Sequence, residues 1–320
     1  MATTTAVSPT RTTSTMRAFP LKYFVIAFAF TWFFWGLQLL GARGAIPILP
    51  GLTPIGTLGP LVAAVVMTAH EGGRTGVRSL LGRVVRWRVA PVWYAVAVLG
   101  PLALTLGAMA LHVALGGPPP SLGLLIGALP VLLIGFVYMM IFVALGEDVG
   151  WRGYALPALQ ARYGALTSSV ILGAMWGVWH LPQFFNPDTF YSNLPFGLWL
   201  AYIVPFAVLI TWVFNSTGGS VLMAMMAHAV MNASGELWKT IPEYATRPES
   251  AAEAVAGTVH FNLMGAIVLW VAAVVVVLVY GPRDLSRHPQ EVSNTPYAGS
   301  GEPTASRVRL GTRTGKRRSV

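Results

Sequence analysis

The sequence predicts an all-α fold, a polytopic membrane bundle of about eight transmembrane helices. Of the 320 residues, 55% are hydrophobic and only 10% are charged, whereas soluble domains carry about 25% charged residues. Apolar runs separate the charged residues, and each run has once or twice the length of roughly 20 residues that a helix needs to cross a bilayer. The composition therefore indicates a membrane protein and excludes a soluble nucleic-acid-binding domain, although the net charge is +10.

The apolar runs give the expected spans in chain order. Two stretches are of double length, and each is broken by a cluster of turn-forming residues, Gly116–Pro120 in the first and Asn215–Gly219 in the second. The spans are expected near residues 23–40 and 52–69, on either side of the first break, near 166–181, on either side of the second break, and near 261–280.

The basic residues predict the orientation of the bundle. With eight spans and a cytoplasmic N-terminus, the cytoplasmic segments carry 18 Lys and Arg residues and the outside segments carry three, Arg43, Lys239 and Arg247. This bias follows the positive-inside rule and places both termini in the cytoplasm of a cell-membrane protein. Removal of the first run as a signal peptide would leave seven spans and upset the bias, and the run is long for that role.

The two ends of the chain differ in composition from the apolar middle. Residues 1–20 and 283–320 are predicted to be disordered cytoplasmic tails, the second of them basic, and residues 21–282 form the transmembrane domain. The segment from Arg74 to Arg88 mixes Arg with apolar residues, which is typical of an amphipathic helix on the membrane surface. Membrane lipids are the expected partners of these segments.

Ionisable residues inside spans are costly and usually functional. Asp148 and Arg152 lie four residues apart and can pair on one helical face, which leaves Glu147 without a partner nearby in sequence. Glu147 is then a candidate general base or acid, although a carboxylate at the water-exposed end of a span would fit equally well. His228 and Asn232 share a helical face that continues to Glu236.

Such a pair could donate two hydrogen bonds to an oxyanion, although for a His and an Asn alone, ordinary interhelical hydrogen bonding is the simpler interpretation. His180, beside Pro182, could likewise be structural. Together, however, two His, one Asn and one Glu on three separate spans are expected to converge inside the bundle.

Three motifs resemble those of the CPBP intramembrane peptidases, the family of CAAX prenyl protease 2 and the bacteriocin-processing proteins. They are Glu147-Asp148-x-x-x-Arg152, Trp176-x-x-x-His180 and His228-x-x-x-Asn232, all within residues 120–240. The family has Glu where this chain has Asp148, which can still pair with Arg152.

The resemblance implies an eight-span fold with a membrane-embedded cavity and an endopeptidase acting on a membrane-associated or lipidated peptide. Glu147 and His180 would activate water, His228 and Asn232 would stabilise the oxyanion, and Asp148, Arg152 and Trp176 would support them. No cofactor is expected. Zinc remains possible on Glu147, His180 and His228, whereas thiolate sites are excluded because the chain has no Cys.

The fourth span must bring Glu147 to the depth of His180. We therefore place it at residues 130–156, ending before Pro157, with residues 122–129 as an extra interfacial or partly inserted piece. An ion-coupled transporter is an alternative, but no internal repeat supports it. A non-catalytic immunity or scaffold protein is another, although each motif residue that catalysis would need is present.

Overall fold

A computed structural model describes residues 18–287 of the chain, and this part contains helices and no strand. The helices, in chain order, are α1 (Leu21–Ala42), α2 (Leu52–Thr57), α3 (Gly59–Val84), α4 (Pro91–Ala114), α5 (Leu122–Gln160), α6 (Ala165–Trp179), α7 (Phe196–Ser216), α8 (Val221–Ser234), α9 (Pro242–Ala245) and α10 (Ala251–Tyr280). Short 3₁₀ turns occupy Leu181–Phe185, Phe190–Asn193 and Gly235–Thr240. The predicted polytopic helical bundle is confirmed.

Six helical segments within residues 18–287 are long and apolar enough to cross a membrane: α1, α2 with α3, α4, α5, α7 and α10. The remaining two predicted spans correspond to α6 and α8, which have only 15 and 14 residues. At 1.5 Å per residue each is about 20 Å long, shorter than a ~30 Å hydrocarbon core. These two helices carry the second and third motifs.

Helix α8 lies in the middle of the bundle, where α4, α5 and α7 pack around it. Eleven of its 14 residues are buried, so its backbone ends face protein and not lipid. Ser220 begins the helix, because its hydroxyl accepts a hydrogen bond from the backbone N–H of Met223 at 3.2 Å, as an N-cap does. The enclosure explains how so short a helix lies inside an apolar bundle.

The prediction for the fourth span was wrong at both ends. Helix α5 starts at Leu122, so residues 122–129 belong to it, and it continues past Pro157 to Gln160. Two π-helical segments interrupt it, at Met139–Ala144 and Trp151–Ala155. Prolines are tolerated inside membrane helices where local π adjustments re-satisfy the freed backbone groups, and Pro157 lies two residues beyond the second segment.

Helix α3 extends well beyond the predicted span end near residue 69. Gly73 interrupts it with φ 56° and ψ −146°, a conformation that glycine adopts without a Cβ penalty. The part after this break runs to Val84 and carries Arg74, Arg78 and Arg83. A separate helical piece therefore forms in the region predicted to be amphipathic.

Small residues allow the helices around the motifs to approach closely. A Cβ on Gly150 of α5 would collide with the backbone of Pro60, and one on Gly146 would lie 3.0 Å from the carbonyl oxygen of Thr57. On α6, a Cβ on Gly173 would lie 3.0 Å from Val204 of α7. Gly173 thus serves helix packing within the chain.

The chain after α10 folds back onto the bundle. The carbonyl oxygen of Arg283 accepts a hydrogen bond from the N–H of Ala165 at 2.7 Å, and Leu285 is fully buried. The first residues that we assigned to the C-terminal tail are therefore packed. The predicted disorder of residues 1–17 and 288–320 concerns parts of the chain outside the described residues.

Candidate active site

The first motif lies on α5, with Glu147 and Asp148 between the two π-helical segments and Arg152 within the second. Glu147, Asp148 and Arg152 are all buried, with exposures of 4%, 0% and 0%. π-Segments of this kind occur frequently at functional sites. Because Gly146 and Gly150 flank the two acids, this turn packs directly against the junction of α2 and α3.

Glu147 accepts a hydrogen bond from the indole nitrogen of Trp176, with a distance of 2.6 Å between Nε1 and Oε2. Trp176 lies on α6, and it was predicted as a supporting residue because of its place in the second motif. The bond holds the Glu147 carboxylate in one orientation at the wall of the cavity described below.

Asp148 binds two partners. Its Oδ1 lies 2.7 Å from Nη1 of Arg152, and its Oδ2 lies 2.9 Å from Nδ1 of His228. The first contact was predicted from the spacing. The second, which joins α5 to α8, was not predicted, since no local pattern relates residues 80 positions apart. With Asp148 as a carboxylate, Nδ1 of His228 must carry the proton of this bond.

Arg152 completes the network through its π contact. Its guanidinium carbon lies 4.3 Å from the centre of the Trp176 ring, within the range of a cation–π interaction. Nε and Nη2 of Arg152 are buried and have no hydrogen-bond partner among the described residues. Trp176 therefore contacts both the guanidinium and the Glu147 carboxylate, one through its ring face and one through its N–H.

His180 follows the last residue of α6. Its Nδ1 lies 2.9 Å from the carbonyl oxygen of Trp176, so Nδ1 carries a proton and Nε2 of the neutral ring is an acceptor. Three aromatic rings surround the imidazole, with centroid distances of 4.7 Å to Trp179, 5.3 Å to Tyr191 and 5.0 Å to Trp199. The packing fixes the orientation of the imidazole ring.

Asn232 lies one helical turn from His228 on α8, and its side chain is half-buried. Its Nδ2 lies 3.8 Å from Sδ of Met139, a weak contact that leaves the amide available to a stronger acceptor. Glu236, the predicted continuation of this face, forms instead an exposed ion pair with Lys239 at 2.7 Å in the 3₁₀ turn after α8.

One cavity of about 1440 Å³ contains Glu147, Trp176, His180, His228 and Asn232 in its wall. The further walls are largely aromatic, with Trp35, Tyr191, Trp199, Tyr202 and Phe206. We call the rim formed by Asp188, Lys239, Arg247 and Glu249 the mouth of the cavity. Tyr191 and Trp199 were not predicted from the sequence, because their position depends on the fold of the segment after α6.

No group of three His, Asp or Glu side chains in residues 18–287 is arranged to hold a metal ion. Glu147 and His228 each have one atom engaged, by Trp176 and Asp148 respectively. Each keeps a second atom that could bind a ligand, so the zinc site that Glu147, His180 and His228 were predicted to allow stays a prediction.

A polytopic helical membrane protein with a polar cluster at the bottom of an internal cavity is thus the class that the fold and site define. Residues 129–234 match the family model described as type II CAAX prenyl endopeptidase Rce1-like. This segment contains every motif residue named above, so the resemblance to the CPBP intramembrane peptidases is confirmed.

A relative in Methanococcus maripaludis, named CAAX prenyl protease 2, is 31% identical over 107 residues. The match covers 32% of this chain and 40% of the relative. The match therefore spans well under two thirds of the relative's length.

Proposed function

We propose that the protein is an intramembrane endopeptidase that hydrolyses a peptide bond of a membrane-associated substrate. The observation that carries this proposal is the position of Glu147, His180, His228 and Asn232 in the wall of one cavity. These residue types supply the base and the hydrogen-bond donors that peptide hydrolysis needs. The similarity of residues 129–234 to CAAX endopeptidases supports the same conclusion.

In the proposed reaction, Glu147 removes a proton from a water molecule while that water attacks the carbonyl carbon. Trp176 occupies one carboxylate oxygen, which leaves the other for the water. His180 orients the water through its free Nε2. The proton then passes to the nitrogen of the leaving amine as the C–N bond breaks, so that one water is consumed and two peptides are released.

The oxygen of the substrate carbonyl becomes negatively charged when water attacks. Asn232 would donate from Nδ2 to this oxygen, in exchange for its weak contact with Met139. His228 would donate from Nε2 when its ring carries both protons, since its Nδ1 is bound to Asp148. Preorganised donors of this kind typically contribute a factor of about 10²–10³ to the rate.

The test is peptide cleavage by the purified protein in detergent, with products of a peptide library identified by mass spectrometry. Wild type should cleave and Glu147→Gln should not. Asp284→Asn, which removes a carboxylate at the opposite end of the bundle, is the matched control and should cleave as wild type does. Equal cleavage by wild type and Glu147→Gln would exclude Glu147 as the base.

The proposed reaction uses no metal. Cleavage should therefore persist in a chelator such as EDTA and should not rise when zinc is added. Loss of activity in the chelator, with recovery on addition of zinc, would instead support a zinc site on Glu147, His180 and His228.

The aromatic walls of the cavity suit an apolar or lipidated segment. The name of the Methanococcus maripaludis relative refers to prenylated substrates, and we test this class with one peptide in prenylated and unprenylated forms. A higher kcat/KM for the prenylated form would show that the lipid is part of the recognised substrate. Equal values would show that only the peptide is recognised.

A further inference from the structure

The cavity opens at one end of the bundle. Glu147 and His228 lie at mid-helix positions, whereas the mouth residues Asp188, Lys239, Arg247 and Glu249 lie in the segments that connect α6 to α7 and α8 to α10. Among the described residues that line the cavity, none comes from the loops at the opposite end, which are residues 85–90, 161–164 and 217–220. A substrate therefore enters from the end that carries the mouth.

The loops of the opposite end are bound to one another. Nη1 of Arg86 lies 2.5 Å from the carbonyl oxygen of Gly218, and Oγ of Ser220 donates to the carbonyl oxygen of Arg86 at 2.7 Å. The segment after α10 is attached at the same end, through the hydrogen bond from the N–H of Ala165 to the carbonyl oxygen of Arg283. We call this face the basic end.

The two ends differ in their Lys and Arg content. In the described part of the chain the basic end carries nine such residues: Lys22, Arg74, Arg78, Arg83, Arg86, Arg88, Arg162, Arg283 and Arg287. The mouth end carries Arg43, Lys239 and Arg247, the first of which bonds to the carbonyl oxygen of Phe185 at 3.1 Å. Positive loops of membrane proteins remain in the cytoplasm.

We propose that the cavity opens on the extracytoplasmic side of the membrane, so that the substrates are peptide segments on that side. The orientation of the cavity does not depend on catalysis, whereas the assignment of substrates rests on the proposed peptidase function. Exported peptides and outer loops of membrane proteins are the chemical class that could reach Glu147. A cytoplasmic C-terminal peptide would meet the closed basic end.

The chain has no Cys, so single introduced thiols report the orientation directly. Thr246→Cys places a thiol in the mouth, Ala90→Cys places one in an exposed loop of the basic end, and Val143→Cys places one inside the cavity, one turn from Glu147. Spheroplasts are treated with a membrane-impermeant thiol reagent before and after permeabilisation. Thr246→Cys and Val143→Cys should react in intact spheroplasts, and Ala90→Cys only after permeabilisation.

Reaction of Ala90→Cys in intact spheroplasts, or failure of Thr246→Cys or Val143→Cys to react there, would overturn the proposal. The same labelling is repeated in the Glu147→Gln background, where it should be unchanged. If the labelling pattern holds but the purified wild type cleaves no peptide, the peptidase function fails and the orientation stands. If cleavage occurs but the pattern is reversed, only the orientation fails.

Discussion

At the scale of single residues, five side chains from three helices form one continuous network. Glu147 bonds to Trp176, the Trp176 ring packs on Arg152, Arg152 pairs with Asp148, and Asp148 bonds to His228. Charges buried in this way are tolerated because each has a compensating partner. The network holds the three members that line the cavity, Glu147, Trp176 and His228, at fixed separations.

Asp148 is the member whose loss should affect stability most. Asp148→Asn removes the negative charge beside the fully buried Arg152, and breaking a buried pair from one side typically costs about 3–5 kcal/mol. Thermal unfolding in detergent should show this as a large fall in Tm. Asp148→Glu keeps the charge, and its Tm should fall much less. Similar falls in Tm for both variants would contradict the role of the charge.

Trp176 should affect activity more than stability. Trp176→Phe keeps a ring on Arg152 but removes the N–H that binds Glu147, and a hydrogen bond to a charged group contributes about 1.5–3 kcal/mol. We expect kcat to fall by roughly 10- to 100-fold, which is that energy expressed as a rate.

Trp212→Phe is the matched control, because the indole nitrogen of Trp212 has no hydrogen-bond partner in the described structure. It should leave kcat close to the wild-type value. Equal kcat values for the two variants would show that the bond to Glu147 does not matter.

At the scale of helices, sequence periodicity and charge predicted which helices are present more accurately than where each helix begins and ends. The break at Gly218 and Gly219 was predicted, and both have positive φ there. The start of α10 was missed by ten residues, although Ser250 and Glu253 form a recognisable N-terminal cap, in which the backbone nitrogen of Glu253 donates to Ser250 Oγ at 3.2 Å. The π segments of α5 leave no signal in the sequence, because they arise from packing around the polar network.

The close contact of α5 with α3 gives a prediction at this scale. Gly150→Ala would drive a methyl group into the backbone of Pro60, and overpacking of this kind costs about 1–3 kcal/mol. We expect a lower Tm and reduced activity, because Glu147 lies on the same turn. Gly100→Ala in α4, where the added methyl has open space, should keep or raise the Tm. A Gly150→Ala variant as stable as wild type would contradict the packing.

At the scale of the whole molecule, the sequence predicted the bundle and the convergence of the motifs, but not how the cavity closes. The motifs indicated four residues, since polar groups in spans must face the interior. Long-range contacts such as Asp148–His228, and the aromatic wall from Tyr191 and Trp199, depend on how α6 and α8 are enclosed. The short lengths of α6 and α8 follow from that enclosure and not from hydropathy.

The segment after α10 closes the basic end, and truncation tests its contribution. A chain ending at Arg287 keeps the buried Leu285 and the bonds to α6, whereas a chain ending at Gly281 loses both. We expect the first to unfold at nearly the same temperature as the full chain in detergent and the second to unfold at a clearly lower one, because backbone burial decides tolerance to truncation. Equal Tm values for the two truncated chains would show that this segment does not stabilise the fold.

The central claim is that Glu147 is the base of a hydrolytic site, and its most direct test is the rate of peptide cleavage by Glu147→Gln. Positioned general bases contribute about 10²–10⁴-fold to a rate, so kcat should fall by at least about 10²-fold while the Tm changes little. The amide keeps an acceptor for Trp176 but cannot take a proton from water. A Glu147→Gln variant that cleaves the same peptide at the wild-type rate would contradict the account.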